Sequence, residues 1–418
     1  MDRKRLFPIV LILFTNLLGS GVIIPILPLF AEGEFQGTVF QITLLATAFF
    51  AAQFVASPWL GRLSDRFGRR PVLLVSQAGT ILSFVMFIYA RQLGGLVDGL
   101  GLVLPMTGGM LILFLARILD GITGGNITIA QAYVSDITDE EHRTQGLGML
   151  QAAFGMGFIL GPAFGGLLSR YGVEAPFIGA ALITTGTLLL TFFTLAESLP
   201  PEERQTEQER SGNRMPIQAV LGERALVFIM LIAFIGSLAF SALPAIFALY
   251  VDRVVFTAQE SQDQVQLYIG LMLTFLGLAQ VVTQVTALRP LRERLGERWL
   301  IIVGEIALVI AFLGIVPAQN AIVFTLLLAP LAFGRGVSEP ALQSLVTRFG
   351  NERTRGQLLG IYQAARSLAL IIGPIWAGYA FEAISPQAVF LGGAGLMAAT
   401  LGLAFFLLPL NIKKKKKP

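Results

Sequence analysis

Long runs of apolar residues alternate with short polar segments along almost the whole chain. A helix that crosses a lipid bilayer needs about 20 consecutive apolar residues. The first run is longer than the apolar core of a signal peptide and has no small-residue cleavage site, so we expect it to be a retained helix. The pattern predicts twelve membrane-spanning helices, at residues 6–30, 40–60, 72–91, 109–134, 145–168, 174–196, 225–250, 266–288, 298–317, 321–346, 355–380 and 386–410.

One long hydrophilic connection, Glu197–Arg224, separates six predicted spans from the next six. Its charged and polar composition is typical of a flexible linker. The sequence therefore predicts an all-α membrane protein with four segments. These are an N-terminal six-helix bundle at 1–196, a cytoplasmic linker at 197–224, a C-terminal six-helix bundle at 225–412 and a basic cytoplasmic tail at 413–418.

The two halves of the chain repeat. A shift of 212 residues aligns EEHRTQGLGMLQAAFGMGFILGPAFGG (140–166) with ERTRGQLLGIYQAARSLALIIGPIWAG (352–378). A second echo joins SDRFGRR (64–70) to RERLGER (292–298). Because each half holds an even number of spans, the repeat predicts two pseudo-symmetric bundles related by an axis along the membrane normal.

The distribution of basic residues predicts the orientation of the chain. With the N-terminus inside, 24 of the 30 lysines and arginines fall on cytoplasmic segments. Cytoplasmic loops of membrane proteins carry such an excess, so both termini are expected in the cytoplasm. The lysine-rich tail suits contact with anionic lipid headgroups, or it is a solvated end without a specific role.

Composition excludes several kinds of site. The chain is 55% hydrophobic and only 13% charged, and it has no cysteine and a single histidine, His142. No metal site or cofactor is expected, and no pairing of a nucleophile with a base indicates an enzyme. Residues 5–412 contain no lysine, which rules out a P-loop for ATP. No basic soluble segment interleaved with aromatic residues points to nucleic acid.

A charged turn between the second and third predicted spans reads GRLSDRFGRRPV, at Gly61–Val72. Its arginines would anchor a cytoplasmic loop in any membrane protein, but that role leaves Asp65 and the two glycines unexplained. The segment resembles the cytoplasmic signature of the major facilitator superfamily. The resemblance implies a gate that latches the two halves together in the outward-open state, formed by Gly61, Asp65, Arg66, Gly68, Arg69 and Arg70, with Glu293 and Arg294 in the second-half echo.

The fourth predicted span carries LFLARILDGITGGN, at Leu113–Asn126. A charged side chain at this depth is costly and needs a partner or a water-filled cavity. Arg117 and Asp120 are three residues apart and can share one helical face. They form either a neutral structural pair or an arginine that tunes a proton-binding acid. The segment resembles the Arg-x-x-x-Gly signature of proton-coupled facilitators, with Arg117 and Gly121 in place.

The fifth predicted span contains GMGFILGPAFGG, with five glycines and a proline in twelve residues. Small residues let membrane helices approach closely, so close packing alone is one explanation. The segment also resembles the antiporter signature of the same superfamily, which is associated with proton-driven exporters. The resemblance implies a close-packed hinge that includes Gly155, Gly161, Pro162, Gly165 and Gly166.

The resemblance covers nearly the whole chain and is greatest to the twelve-span drug:H+ antiporters, especially tetracycline/H+ exporters. It implies a multi-pass protein of a bacterial inner (plasma) membrane that binds a small-molecule substrate, protons and membrane lipid as a monomer. Asn16 and Ser83 stand where those exporters often have an acid, and no histidine occurs in the eighth span. These departures weaken the expectation of a tetracycline–metal complex as substrate.

Three acids and three arginines lie away from the ends of the predicted spans and are the candidates for proton coupling. The superfamily architecture lines the cavity with helices one, four, seven and ten, so the resemblance ranks Asp120 and Glu339 above Glu305. Arg335 and Glu339 are alternatively a neutral pair. The coupling set is Asp120, Glu339, Glu305, Arg117, Arg335 and Arg366.

Polar and aromatic residues of the spans are candidates for the substrate cavity, although helix packing explains each of them equally well. They are Asn16, Gln53, Asn126, Gln131, Phe247, Tyr250 and Gln343. The expected function is proton-driven export of amphipathic or lipophilic compounds by alternating access. The alternative is a facilitator or symporter for a sugar, a lipid or another metabolite.

Overall fold

The computed structural model describes residues 3–101, 103, 105–124, 126–199, 223–256, 262–349 and 355–409, and within these ranges the regular structure is helical. Most of the predicted linker and all of the basic tail lie outside the described residues. The α-helices are α1 (Arg3–Phe35), α2 (Val39–Phe67), α3 (Arg69–Ile88), α4 (Ala90–Gly99), α5 (Gly108–Thr123), α6 (Asn126–Ile137), α7 (Glu140–Leu168), α8 (Ala175–Thr194), α9 (Arg224–Tyr250), α10 (Gln262–Val282), α11 (Leu288–Ile315), α12 (Ala321–Thr347), α13 (Arg355–Ala383) and α14 (Pro386–Phe406).

Eleven helical segments of the described chain are long and apolar enough to cross a membrane. One of them, Gln264–Ile315, runs for 52 residues, about twice the length of a single span. Gly296 interrupts it with a non-helical backbone (φ 77°, ψ 165°). Divided at Gly296, the eleven segments correspond to the twelve predicted spans, and the predicted all-α fold class is confirmed.

The fourth predicted span differs in detail from its prediction. It consists of two helices, α5 ending at Thr123 and α6 beginning at Asn126. Glycine is a poor helix former, and three glycines in the sequence GITGGN account for the break. A further short helix, α4, precedes α5 and was not predicted, because it is too short to show as an apolar run.

The described chain divides into two compact units. The first comprises Met1–Glu209, Phe247–Leu249 and Gln259–Thr274. The second comprises Arg210–Ile246, Tyr250–Ala258 and Phe275–Pro418. The sequence-based boundaries at 196 and 225 remain predictions.

The glycine-rich segment of α7 packs closely against α1 in the first unit. Gly161 faces Gly21 so closely that a methyl group on Gly161 would lie 2.7 Å from the Gly21 Cα atom. Gly157 and Gly165 likewise face the α1 backbone, whereas a Cβ on Gly155 would meet no atom within 4 Å. Close packing therefore requires a glycine at Gly161 but not at Gly155. The helix continues through Pro162.

This contrast predicts opposite outcomes for two alanine substitutions on one helix. Gly161→Ala should lower the free energy of unfolding by about 1–3 kcal/mol, because overpacking a tight contact forces the backbones apart. Gly155→Ala should be neutral, or stabilising by up to about 1 kcal/mol through helix propensity. Unfolding of each purified variant in mixed micelles checks this, and equal effects at both positions would contradict the packing described here.

The two units share one backbone feature at positions related by the repeat. Gly68 separates α2 from α3 with φ 102° and ψ 158°, close to the angles of Gly296. A positive φ in this region is strained for residues with a side chain, which explains why both echoes, SDRFGRR and RERLGER, keep this glycine. The similar backbone conformation of Gly68 and Gly296 is thus consistent with the internal repeat of the sequence.

Candidate functional site

A cluster of charged side chains lies within the helices of the second unit. Glu339 on α12 is paired with two arginines. Its Oε2 atom lies 3.1 Å from Nε of Arg335, on the same helix, and its Oε1 atom is ion-paired with Arg366 of α13. The three side chains are only 14–20% exposed. One carboxylate is thus shared by two guanidinium groups.

Further contacts hold both arginines. Arg366 donates from NH1 to the side chain of Gln363 (3.0 Å) and from Nε to Ser237 of α9 (3.4 Å). The guanidinium carbon of Arg335 lies 4.4 Å from the centre of the Phe240 ring, also on α9, within the range of a cation–π interaction. The charged cluster therefore links α9, α12 and α13.

Glu305 on α11 has a different environment. Its residue exposure is 2%, and in the described part of the chain it takes part in no ion pair. The Ser338 hydroxyl donates to its Oε1 atom over 2.7 Å. Its Oε2 atom lies 2.6 Å from the hydroxyl oxygen of Thr400 on α14. Glu305 is therefore a buried acid whose direct polar neighbours are neutral hydroxyl groups.

Glu305 and two residues of the charged cluster, Arg335 and Glu339, line one small cavity inside the second unit. Its apolar walls come from α9, α11 and α12. Its polar lining is formed by Ser237, Glu305, Arg335, Ser338, Glu339 and Tyr362. Three of the six candidate coupling residues, Glu305, Arg335 and Glu339, thus line one cavity. A fourth, Arg366, does not line it but forms an ion pair with Glu339, which does.

The remaining coupling candidates lie in the first unit. Asp120 is buried on α5, and its Oδ2 atom accepts a hydrogen bond from NH1 of Arg117 over 3.1 Å. The Arg117 guanidinium lies 4.2 Å from the centre of the Phe49 ring. Each partner compensates the other's charge in the buried site, and both interpretations of the pair, structural or proton-binding, stay predictions.

The residues predicted to form the substrate cavity have different local environments within their own units. Asn16 and Asn126 lie around a gap in the first unit that is too small for a water molecule, together with Gln77. Gln53 donates to the Gly124 carbonyl over 2.9 Å. Phe247 and Tyr250 are fully buried, and the Tyr250 hydroxyl donates to the Ile315 carbonyl (3.4 Å). Gln131 is exposed and Gln343 half-buried. None of the seven lines the cavity of the second unit.

The gate residues of the first unit form a network around Arg69. Its guanidinium is ion-paired with Asp65, and it donates from Nε to Asp136 of α6 over 3.0 Å. The backbone N–H groups of Arg69 and Arg70 donate to the Glu197 carboxylate (2.8 and 3.2 Å). Gly61 and Arg66 lie on α2, before this turn.

The second unit carries the corresponding network with the charges reversed. Buried Glu297 follows Gly296, as Arg69 follows Gly68. Its carboxylate lies 2.7 Å from Arg348 and 3.4 Å from Arg292. The two predicted gate residues of this unit lie outside this network: Glu293 pairs on the exposed surface with Arg289 (3.0 Å), and Arg294 is exposed.

The predicted gate residues do not include Asp136, Glu297 and Arg348. The internal repeat of the sequence, however, identifies two of them. Asp136 and Arg348 are separated by 212 residues, the shift of the internal repeat, and each lies within one residue of the C-terminal end of its helix, α6 or α12. Ser338 and Thr400 were also missed, because a hydroxyl residue in an apolar helix usually bonds to its own backbone.

Comparisons with known proteins agree with this architecture. The sequence profile of the Major Facilitator Superfamily matches residues 9–261 and 254–418. The chain is 31% identical to the class C tetracycline resistance protein of Escherichia coli, covering 85% of this chain and 84% of that protein. It is 30% identical to multidrug resistance protein 2 of Bacillus subtilis (strain 168), covering 96% and 95%. The crystal structure of the nucleoside transporter NupG superimposes with a TM-score of 0.72 at 15% identity, covering 98% of this chain and 100% of that one.

Proposed function

Because the chain belongs to the major facilitator superfamily, we propose that it exports amphipathic or lipophilic small molecules across a membrane in exchange for protons. The protein is an integral, multi-pass membrane protein. Its similarity over most of its length to tetracycline and multidrug resistance proteins supports an export substrate of the drug type. The observation that carries the proposal is Glu305, a buried acid held by hydroxyl groups rather than by an arginine.

Exchange for protons requires an acid that changes its charge during each cycle. Asp120 and Glu339 each have an arginine in direct contact, whose positive charge is balanced by the negative charge of the carboxylate. Removing that charge leaves the arginine uncompensated in a buried site, which is costly. Glu305 gains or loses a proton without breaking an ion pair. We therefore assign the coupling proton to Glu305, in preference to the two acids that the sequence favoured.

The remaining parts of the proposal concern topology and movement. Residues 1–196 and 225–412 act as two bundles that alternate access to the substrate from the two sides of the membrane. Both termini lie in the cytoplasm, as the basic residues indicate. The working unit is a single chain in contact with lipid, since one chain contains both six-helix halves.

Transport by purified protein in proteoliposomes tests this function. A panel of labelled lipophilic and amphipathic compounds is compared with labelled sugars, with and without an imposed pH gradient. We expect at least one amphipathic compound to accumulate against its own gradient only when the pH gradient is present. Uphill movement of a sugar, with none of the amphipathic compounds moved, would favour the metabolite symporter instead.

A further inference from the structure

Thr400 is a buried residue of α14 with two oxygen neighbours. Its hydroxyl oxygen lies 2.6 Å from Oε2 of Glu305 and 2.7 Å from the carbonyl oxygen of Met397, in its own helix. Both distances are those of ordinary O–H···O hydrogen bonds. A hydroxyl group, however, has only one hydrogen to donate.

The two contacts are incompatible with an ionised Glu305. An ionised carboxylate only accepts hydrogen bonds, so Glu305 and the Met397 carbonyl would compete for the one hydrogen of Thr400. One of the two short contacts would then bring two acceptor oxygens together without a hydrogen between them. Such an arrangement is repulsive in a buried site.

A protonated Glu305 satisfies every contact. Its Oε2–H donates to Thr400, and the Thr400 hydroxyl donates to the Met397 carbonyl. Oε1, now the carbonyl oxygen of the acid, accepts from Ser338 over 2.7 Å. Each hydrogen has one acceptor, and the chain of bonds ends at a backbone carbonyl.

We infer that Thr400 is a positioning residue that holds the coupling proton on Oε2 of Glu305, through a hydrogen bond whose donor reverses when the proton leaves. This inference rests on the proposed function. When Glu305 ionises, its proton passes to water, and the Thr400 hydrogen turns from Met397 to Oε2. The contact between α11 and α14 therefore persists in both states, and the ionised carboxylate accepts from two hydroxyl donors, Ser338 and Thr400.

Other polar and charged groups lie near Glu305, but Thr400 and Ser338 are the ones that hydrogen-bond its carboxyl group. Arg335 and Glu339 of α12 face the same cavity, as do the Tyr362 ring of α13 and the Ser237 hydroxyl of α9. Arg366 of α13 reaches Glu339 but does not contact Glu305. Glu339 engages both arginines, so among the described residues the direct polar contacts of the Glu305 carboxyl are the two hydroxyls.

Infrared difference spectroscopy tests the inference through the carbonyl stretch of a protonated carboxyl group. The wild-type protein at neutral pH should show such a band, sensitive to D2O and absent in Glu305→Gln. In Thr400→Val the band should move to higher frequency, because the acid has lost its acceptor. Thr400→Ser should restore the wild-type position. Thr184→Val is a matched control, since Thr184 is a buried threonine whose hydroxyl has no hydrogen-bond partner among the residues that the structure describes.

Two results would overturn the inference. One is that Glu305→Gln removes no carboxyl band from the neutral-pH spectrum. The other is that Thr400→Val leaves that band in place. If Thr400→Val does not fold, the comparison of wild type with Glu305→Gln still decides the first point. The band does not depend on transport, so its presence without proton-driven export would overturn the proposed function and leave the inference intact.

Discussion

Glu305→Gln should abolish accumulation of substrate driven by a pH gradient, reducing it to the level of protein-free liposomes. A glutamine imitates the protonated acid, because its carbonyl accepts from Ser338 and its amide N–H donates to Thr400. It cannot release a proton, so the inward proton gradient no longer drives the cycle. Substrate exchange in the absence of a gradient should persist, within about tenfold of wild type, because the hydrogen bonds are retained and a tenfold change corresponds to only 1.4 kcal/mol.

Labelled-substrate uptake and counterflow, measured in the same proteoliposome preparation, separate these two activities. Glu382→Gln serves as the control, because Glu382 is an exposed acid at the end of α13. It should retain both activities. Gradient-driven uptake by Glu305→Gln at the wild-type rate would show that another group carries the proton.

Glu339→Gln should destabilise the protein far more than Arg366→Gln. Removing the carboxylate leaves Arg335 and Arg366 together in a buried site without a counter-charge. Loss of one partner from a buried ion pair costs about 3–5 kcal/mol. Removing Arg366 instead leaves the Arg335–Glu339 pair intact, so the loss should be about 1 kcal/mol, typical of one hydrogen-bonding partner.

The free energy of unfolding in mixed micelles measures both effects. The double variant Glu339→Gln/Arg366→Gln should be more stable than Glu339→Gln alone, because one uncompensated charge has been removed. Equal destabilisation by the two single variants would contradict the account of one carboxylate shared by two arginines.

The fold was predictable because its signals repeat along the chain. Apolar runs long enough to span a bilayer predict the helices, and the segments around Gly68 and Gly296 recur in both halves. The glycine is required by the same positive φ at both turns. The break between Thr123 and Asn126 was harder to place, because the apolar pattern continues through it.

The site was less predictable, since it depends on contacts between helices far apart in sequence. Glu305 and Thr400 are 95 residues apart, and no sequence pattern predicts that their side chains are in contact. Family architecture favoured Glu339 and Asp120 over Glu305, but it contains no information about which acid an arginine contacts. Which acid contacts an arginine is visible only in the three-dimensional structure.

Simultaneous recording of internal pH and substrate flux in one set of proteoliposomes tests the central claim most directly. An internal pH dye and a labelled amphipathic substrate are followed together in wild type and Glu305→Gln. The account predicts that wild-type substrate movement is accompanied by proton movement in the opposite direction, and that Glu305→Gln moves substrate without protons. Wild-type substrate flux with no change in internal pH, or unchanged proton movement in Glu305→Gln, would contradict it.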